Sequence, residues 1–277
     1  MIYLNPEIIS GLGEDTFWTW FHREFPGSVF DEPRRLDDTD ILLRYSTLGF
    51  LPVVGKQVAL CWELYPAMRD RFGSTIWDDK IASVRETARY STYRTVASEL
   101  TRADYEQYGS VEIIPIGVDV DTFRPLGDKM GLREKYGLPQ DREIGVWIGT
   151  MHPMKGFAHL LEYARKHPDV HWITICKTEH EAVMMPGATR FVHAPQQTSC
   201  ELMSAADFFL GTSLLRPFYM AEWEAMACDI PMRIIGEQDK EFVPSAHPRE
   251  DVLALGWDRP SVKRQWELFF TERGITW

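Results

Sequence analysis

The sequence predicts an α/β fold built from two successive parallel-sheet units. Short apolar runs of strand length alternate with amphipathic stretches along the chain, and a turn-rich connector interrupts them near the middle. This alternation is typical of parallel strands that are covered by helices on both faces. The length agrees, because 277 residues correspond to about two domains of ordinary size.

The first half of the chain alternates strand and helix signals. Apolar residues at helical spacing predict helices at residues 14–25 and 78–89. Compact apolar runs that precede and separate these helices predict strands. The predicted strands are residues 2–4, 40–46, 57–62, 94–98 and 111–116.

The second half begins after the connector, residues 117–128, which is rich in turn-forming residues. Strand and helix signals then alternate again and end in a helix at residues 261–273, which Gly274 stops. The predicted strands are residues 143–149, 171–176, 189–193 and 208–213, and the other predicted helices are 157–166, 201–206 and 221–228.

Composition and charge narrow the class of protein. Hydrophobic residues make up 44% and charged residues 26% of the chain, which excludes a disordered chain, a collagen-like fibre and a coiled-coil rod. The formal net charge is −11. With no global basic field, tight non-specific binding of nucleic acid is not expected.

Cysteine usage and hydropathy indicate the compartment. Cys61, Cys176, Cys200 and Cys228 form no C-x-x-C pair and no zinc-ligand spacing. Buried thiols in a reducing cytoplasm are the simplest expectation. The first residues carry no basic region, and no run approaches about 18 apolar residues. We therefore expect a cytoplasmic protein with no stable membrane insertion.

Four segments carry the most informative pattern in the chain. They are I-I-P-I-G-V-D-V-D-T-F-R-P at 113–125, G-T-M-H-P-M-K-G-F at 149–157, M-S-A-A-D-F-F-L-G-T-S at 203–213 and R-P-F-Y-M-A-E-W-E-A-M-A-C-D-I-P at 216–231. In this order and spacing they resemble glycosyltransferase family 4. That family typically shows I-P-N-G-V-D-x-x-x-F-x-P, G-R-x-x-x-x-K-G, A-D-x-x-x-x-P-S and E-x-F-G-x-x-x-x-E-A-M-A-x-G-x-P.

The resemblance implies a fold, an activity and a domain organisation. The fold is GT-B, in which two Rossmann-like domains face each other across a cleft, here in a short and divergent member of the family. An acceptor-side domain is expected at residues 1–120, a donor-nucleotide domain at 121–257, and a helix that packs back on the first domain at 258–277. The implied reaction transfers a sugar from a nucleotide-sugar donor with retention of configuration, without a metal ion or cofactor.

The resemblance also assigns residues to the donor site. Lys155, at the head of a predicted helix, matches the family lysine that contacts the diphosphate, whose negative charge favours a cation and a helix N-terminus. Glu224 matches the glutamate that accepts hydrogen bonds from both ribose hydroxyls. The backbone N–H groups of Tyr219, Met220 and Ala221, just before and within the next helix, are expected to hold the phosphates.

Departures from the family pattern fall on the same site. Thr150 replaces the family arginine, Arg216 replaces the first glutamate of the pair, and Tyr219 replaces a glycine. Trp62 stands where many members have an active-site histidine. We expect Arg216 either to restore the lost charge at the diphosphate or to face a carboxylate on the sugar. Lys155, Arg216 and Glu224 are the expected catalytic set.

Two further motifs are a pair of glycines near the start of the chain and a D-x-D pattern in the connector. Gly11 and Gly13 lie where the family has its glycine-rich loop, whose backbone approaches the donor phosphates. Asp119 and Asp121 form a D-x-D pattern, the manganese-binding signature of the other large glycosyltransferase fold. Because this pattern lies inside the connector, we expect it to be structural and expect no metal site.

The acceptor and the catalytic status stay open at this stage. The acceptor is a saccharide, a lipid-linked intermediate, a small molecule, a protein or a modified base in DNA, the last in a phage-type transferase. The replacements at Thr150, Arg216 and Trp62 also fit a catalytically degenerate protein that binds nucleotide-sugars. An unrelated two-lobed enzyme such as a sugar-nucleotide epimerase is a weaker alternative.

Overall fold

A computed structural model gives the fold of the chain. It describes residues 1–5, 13–31, 33, 35–63, 65–73, 78–150, 153–176, 185, 187–214, 220–235 and 244–277. The chain divides into two compact units. The first unit is Met1–Gly117 together with Arg259–Trp277, and the second is Val118–Asp258.

The first unit contains a parallel sheet in the order β2-β1-β3-β4-β5-β6. Its strands are β1 (Ile2–Asn5), β2 (Ser28–Phe30), β3 (Ile41–Tyr45), β4 (Lys56–Leu60), β5 (Tyr93–Val96) and β6 (Glu112–Ile113). The strand order reverses between β1 and β3, which lie side by side with Ile2 opposite Ile41. In open parallel sheets such a reversal is the place where ligands bind, beyond the carboxyl ends of the strands.

The second unit repeats this architecture in the order β11-β10-β7-β8-β9, again with all strands parallel. Its strands are β7 (Ile144–Ile148), β8 (His171–Cys176), β9 (Thr189–Val192), β10 (Phe208–Gly211) and β11 (Met232–Ile234). The order reverses between β7 and β10. The prediction of two parallel-sheet α/β units is therefore confirmed.

Described helices lie between most of the successive strands along the chain. The described helices are α1 (Gly13–Glu24), α2 (Tyr65–Phe72), α3 (Asp78–Tyr90), α4 (Glu99–Tyr105), α5 (Lys129–Lys135), α6 (Phe157–Lys166), α7 (Gln196–Ala205), α8 (Met220–Ala227), α9 (Pro248–Ala254) and α10 (Arg259–Glu272). None of these described helices is long and apolar enough to cross a membrane.

Aromatic packing joins the last helix to the first within one core. The ring of Phe21 on α1 packs edge-on against Trp266 of α10 at 5.5 Å and against Phe270 at 6.3 Å. Phe25 also packs edge-on against Phe270, at 5.6 Å. Trp266 and Phe270 are fully buried. Residues at the two ends of the sequence thus form one hydrophobic core.

Close packing in the second unit depends on one glycine in the central strand. A Cβ atom on Gly145 would lie 2.7 Å from ring atoms of both Phe208 and Trp172. Those two rings meet edge-on at 5.7 Å. Any side chain at position 145 would therefore separate the rings that form the centre of this core.

Several predicted strands are shorter than expected, and for two of them, β5 and β6, the reason is identifiable. The strand expected at 94–98 ends at Val96, because Ser98 is the N-cap of α4 and its side chain accepts a hydrogen bond from the N–H of Thr101. The strand expected at 111–116 is only Glu112–Ile113. Pro115 has no N–H to continue the ladder.

Substitution of Phe270 by alanine tests the joint core of the first unit. We expect a loss of about 3–5 kcal/mol in the free energy of unfolding, because a fully buried aromatic ring is removed. The measurement is urea denaturation followed by tryptophan fluorescence. Leu268 on the same helix is 59% exposed, so Leu268→Ala is the matched control and should change stability by less than about 0.5 kcal/mol. Equal effects of the two substitutions would contradict the packing described above.

Candidate functional site

The candidate site lies where the strand order of the second sheet reverses. β7 and β10 are neighbours there, and Phe209 of β10 pairs with Val146 of β7. The segment after β7 leads to α6, and the segment after β10 leads to α8. Both segments leave the carboxyl edge of the sheet at its switch point, the position at which such sheets bind nucleotides.

Hydrogen bonds connect the two segments at this edge. The indole N–H of Trp147 donates to Thr212 Oγ1 at 2.9 Å, and the same hydroxyl donates to the carbonyl of Lys155 at 2.6 Å. The backbone N–H of Leu214 donates to the carbonyl of Met154 at 2.8 Å. Trp147 and Thr212 are both buried. The backbone of Lys155 is therefore fixed to the carboxyl end of β10.

Gly156 permits this close approach. It lies in the left-handed region, with φ 66°, and it is the N-cap of α6. A Cβ atom at this position would lie 1.8 Å from the carbonyl oxygen of Thr212. A residue with a side chain cannot stand here without moving the backbone of one segment.

Lys155 lies in a short 3-10 turn, Pro153–Lys155, directly before Gly156 and α6. It is half-buried. The first turn of α6 carries backbone N–H groups that have no carbonyl partner within the helix, and these give the N-terminus a partial positive charge. The lysine and the helix N-terminus thus reinforce each other at the same end of α6.

The second helix at this edge is α8, which begins at Met220. Most of it is buried, including Glu222, Trp223 and Ala225. Met220, Ala221 and Glu224 are half-buried by contrast. The sequence analysis singled out Glu224 but did not expect Glu222 to be the more deeply buried carboxylate, 9% exposed, in the first turn. A carboxylate in the first turn interacts favourably with the helix dipole.

The structure describes some of the expected site residues and not others. Lys155, Thr150, Met220, Ala221 and Glu224 belong to the two segments and helices at the switch point of the second sheet. Arg216 and Tyr219 lie outside the described residues, as does Gly11. Gly13 is the first residue of α1. Thr212 was not predicted from the sequence, because its hydrogen bonds join residues that are distant along the chain.

The first unit has polar groups at its own switch point. Arg44, near the end of β3, is buried and donates to Asn5 Oδ1 at 2.5 Å, to the Gly49 carbonyl at 2.6 Å and to the Leu48 carbonyl at 3.1 Å. These bonds join the carboxyl ends of β1 and β3. Arg44 therefore fixes the edge from which the chain leaves β1 towards the segment that contains Gly11.

Trp62 packs as a core residue in this structure. Its ring packs edge-on against Phe17 at 4.7 Å and lies 6.2 Å from the ring of Tyr45. Only 6% of its surface is exposed. The next residue, Glu63, accepts a hydrogen bond from the hydroxyl of Tyr45. An imidazole at position 62 would leave part of this aromatic packing unfilled.

The D-x-D pattern has a structural use in the described connector. Oδ1 of Asp119 accepts hydrogen bonds from the backbone N–H groups of Asp121 at 3.2 Å and Thr122 at 3.0 Å. Gly117, just before it, has φ 85°. Asp119 therefore stabilises a turn. Among the described residues, no group of three or more His, Cys, Asp or Glu side chains is placed to hold a metal ion.

Sequence comparison finds glycosyltransferases over part of the chain. No family model matches the sequence. The D-inositol 3-phosphate glycosyltransferase of Mycobacterium tuberculosis is 28% identical over 136 residues, and the Mycobacterium bovis protein matches equally. The match covers 44% of this chain and 28% of the mycobacterial protein. The alignment thus spans less than a third of the length of these relatives.

Structure comparison covers nearly the whole chain. Sucrose-phosphate synthase from Thermosynechococcus elongatus has a TM-score of 0.69 at 15% identity, covering 92% of this chain and 76% of that one. Anabaena HepE in complex with UDP-glucose has a TM-score of 0.61 at 13% identity, over 99% and 95%. WaaG, a glycosyltransferase involved in lipopolysaccharide biosynthesis, has 0.62 at 14%, over 99% and 94%. The chain has the two Rossmann-like parallel-sheet domains of the GT-B fold.

Thr212→Val tests the hydrogen bonds that hold the Lys155 segment. Valine has nearly the same shape but leaves the Trp147 indole N–H without this acceptor, so we expect a loss of about 1–3 kcal/mol in the free energy of unfolding. The matched control is Thr174→Val in β8, because the buried hydroxyl of Thr174 has no hydrogen-bond partner in the described structure. That change should be neutral or stabilising. A similar loss in both variants would show that the hydroxyl of Thr212 does not matter.

Gly156→Ala tests the close approach of the two segments. We expect Gly156→Ala to lower the free energy of unfolding by at least about 2 kcal/mol more than the same substitution at a glycine whose only constraint is its positive φ. Gly137 provides that comparison, since it has φ 63° and a Cβ atom added to it would have no atom of the described residues within 4 Å. Gly137→Ala should cost about 1 kcal/mol. Thermal unfolding of both variants gives the difference, and equal costs would refute the contact with Thr212.

Proposed function

We propose that this protein is a retaining glycosyltransferase that moves a sugar from a nucleotide-sugar donor to an acceptor. The observation that carries the proposal is the fixed Lys155 segment beside the β10–α8 segment, at the switch point of the second sheet. A cationic side chain and the N-termini of α6 and α8 are at this one edge. Such a combination suits a diphosphate.

In the proposed reaction, this edge stabilises the departing nucleoside diphosphate. The bond between the anomeric carbon and the phosphate oxygen breaks, and negative charge grows on the diphosphate. The acceptor oxygen forms a bond to the anomeric carbon, and a phosphate oxygen of the departing diphosphate takes the acceptor proton. In the proposal, Lys155 and the N-terminal amides of α8, those of Met220 and Ala221 among them, interact most strongly with that charge, together with the amide of Tyr219, which precedes this helix in the sequence. Because the Lys155 backbone is already fixed, little reorganisation is needed when the charge develops.

Glu224 is the proposed ribose-binding residue. It is half-buried on a helix whose neighbouring side chains Trp223 and Ala225 are buried. A carboxylate in such a position can accept hydrogen bonds from two hydroxyl groups of a diol. We assign Arg216 and Thr150 to the diphosphate as well, with Arg216 supplying the second cation.

Gly11 and Gly13, in the first half of the chain, enter the proposed donor-binding set through the sequence resemblance alone. In the sequence, this glycine loop has Gly11 between β1 and α1, and Gly13 is the first residue of α1. This loop follows the strand at which the order of the first sheet reverses. In the proposal, cationic side chains and backbone amides supply the positive charge, and no metal ion or cofactor takes part.

The comparisons support the donor class more than the acceptor. HepE was solved with UDP-glucose, and the mycobacterial relative is a glycosyltransferase. The acceptor is a saccharide, a small molecule, a protein or modified DNA. The replacements at Thr150 and Arg216 favour one alternative, a nucleotide-sugar-binding protein that does not catalyse transfer.

Nucleotide-dependent thermal stabilisation tests the donor site. UDP-, GDP-, ADP- and CMP-sugars and the free nucleotides are compared, and a ligand at about 100 times its dissociation constant should stabilise the protein by about 2.7 kcal/mol. Lys155→Ala should abolish this stabilisation, because the diphosphate loses its main cation. Lys166→Ala, at the opposite end of α6 from Lys155, is the matched control, since Lys166 is 62% exposed and pairs with Glu162 at 2.6 Å.

The outcomes separate the proposal from its alternatives. If no nucleotide raises the melting temperature of the wild-type protein, the donor site does not exist and the proposal fails. If Lys166→Ala weakens binding as much as Lys155→Ala, the lysine has no special role. Where a donor binds, slow hydrolysis of that donor without acceptor supports a transferase, and complete absence of hydrolysis supports the binding protein.

A further inference from the structure

The second unit contains a buried sulfur cluster that the proposed reaction does not use. Cys200 lies within α7, and Cys228 directly follows α8. Their sulfur atoms are 3.7 Å apart, and Met203 Sδ lies 3.9 Å from the sulfur of Cys228. Both cysteines are buried, at 0% and 2% exposure. The cluster joins two helices that are otherwise connected through β10.

The two thiols are chemically unequal. The Cys228 thiol donates a hydrogen bond to the Cys200 sulfur. This bond lowers the pKa of Cys200, and donating it, together with burial, raises the pKa of Cys228. Cys200 is therefore the sulfur with more thiolate character, which is the form that attacks an oxidant.

We propose that Cys200 and Cys228 form a modification site at which a small peroxide produces an intramolecular disulfide. The Cys200 thiolate attacks one oxygen of hydrogen peroxide, and the O–O bond breaks. Hydroxide departs, and Cys200 becomes a sulfenic acid. The sulfur of Cys228 then attacks that of Cys200. The S–S bond forms, the S–O bond breaks, and the Cys228 proton leaves with the oxygen as water.

The geometry allows this reaction with a small movement. A disulfide has a sulfur–sulfur distance of about 2.05 Å, so the two sulfurs at 3.7 Å must come closer by about 1.7 Å. Met203, the nearby thioether, is a flexible side chain that adapts to such changes. A peroxide is little larger than water, whereas a bulky disulfide oxidant cannot reach a buried pair without local opening.

The disulfide would act on the helix that carries Glu224. The N–H of Cys228 donates to the carbonyl of Glu224 at 3.0 Å, so Cys228 lies one turn beyond that residue. Arg249 holds the same helix end through the carbonyl of Ala227, at 2.5 Å. Drawing Cys228 towards α7 strains this end of α8. We expect the oxidised protein to bind the donor nucleotide severalfold more weakly. This expectation rests on the proposed function.

Mass spectrometry of the full-length protein tests the modification site. After treatment with equimolar hydrogen peroxide, the wild-type mass should fall by two hydrogen atoms, and a reducing thiol should restore it. Cleavage after Glu201 and Glu224 separates the two cysteines, so a linked peptide pair under non-reducing conditions identifies the bond. Cys176→Ser, at a buried thiol in the same unit, should leave the linkage intact, and Cys200→Ser should abolish it.

Three results would overturn the proposal. These are addition of oxygen atoms without a linked pair, a linkage that uses Cys61 or Cys176, and a linkage between two chains. Because the peptide analysis uses the wild-type protein, it decides the question even if Cys200→Ser fails to fold.

Comparing UDP and GDP affinities of the reduced and oxidised proteins tests the effect on donor binding. If the two forms bind equally, the effect on α8 is refuted while the modification site stands. If the reduced protein binds no nucleotide, the proposed function fails and the disulfide result is unaffected.

Discussion

The contact between Gly156 and the carbonyl of Thr212 is the constraint on which the candidate site depends. β7 and β10 are neighbours at the point where the strand order reverses, so the segments that leave them must pass each other closely. A glycine permits this passage, and the Trp147–Thr212–Lys155 hydrogen bonds then fix it. The backbone of Lys155 is consequently held in position before a ligand binds. This reduces the loss of conformational entropy that binding of a diphosphate would otherwise have to offset.

Much of the second sheet could be predicted from local patterns. α6 and β8 begin and end at the residues expected, because each has strong periodicity or a continuous apolar run with clear flanking signals. The short strand Ser28–Phe30 and the helix Glu99–Tyr105 were not expected. Elements of this length have too few residues for a periodic pattern, and packing against neighbouring strands decides their structure.

The site was less predictable than the fold. The candidates Lys155 and Glu224 come from a resemblance, because both residues lie within contiguous motifs. Thr212 acts through Trp147 and Lys155, which are 65 and 57 residues away in the sequence. No local pattern indicates such partners. Trp62 differs from Thr212, because a motif drew attention to it. It stands where many members of the resembling family have a histidine, and its contacts in the structure are those of a core residue.

The two proposed sites lie at opposite ends of one helix, α8. Its N-terminus adjoins the switch point, where partial positive charge suits an anion, and its C-terminus leads directly to Cys228. A helix of eight residues is two turns long, so a covalent strain at one end is transmitted to the other with little loss through bending. In the two proposals taken together, the rigidity that orients Glu224 for a ribose also makes donor binding sensitive to the oxidation state of the Cys200–Cys228 pair.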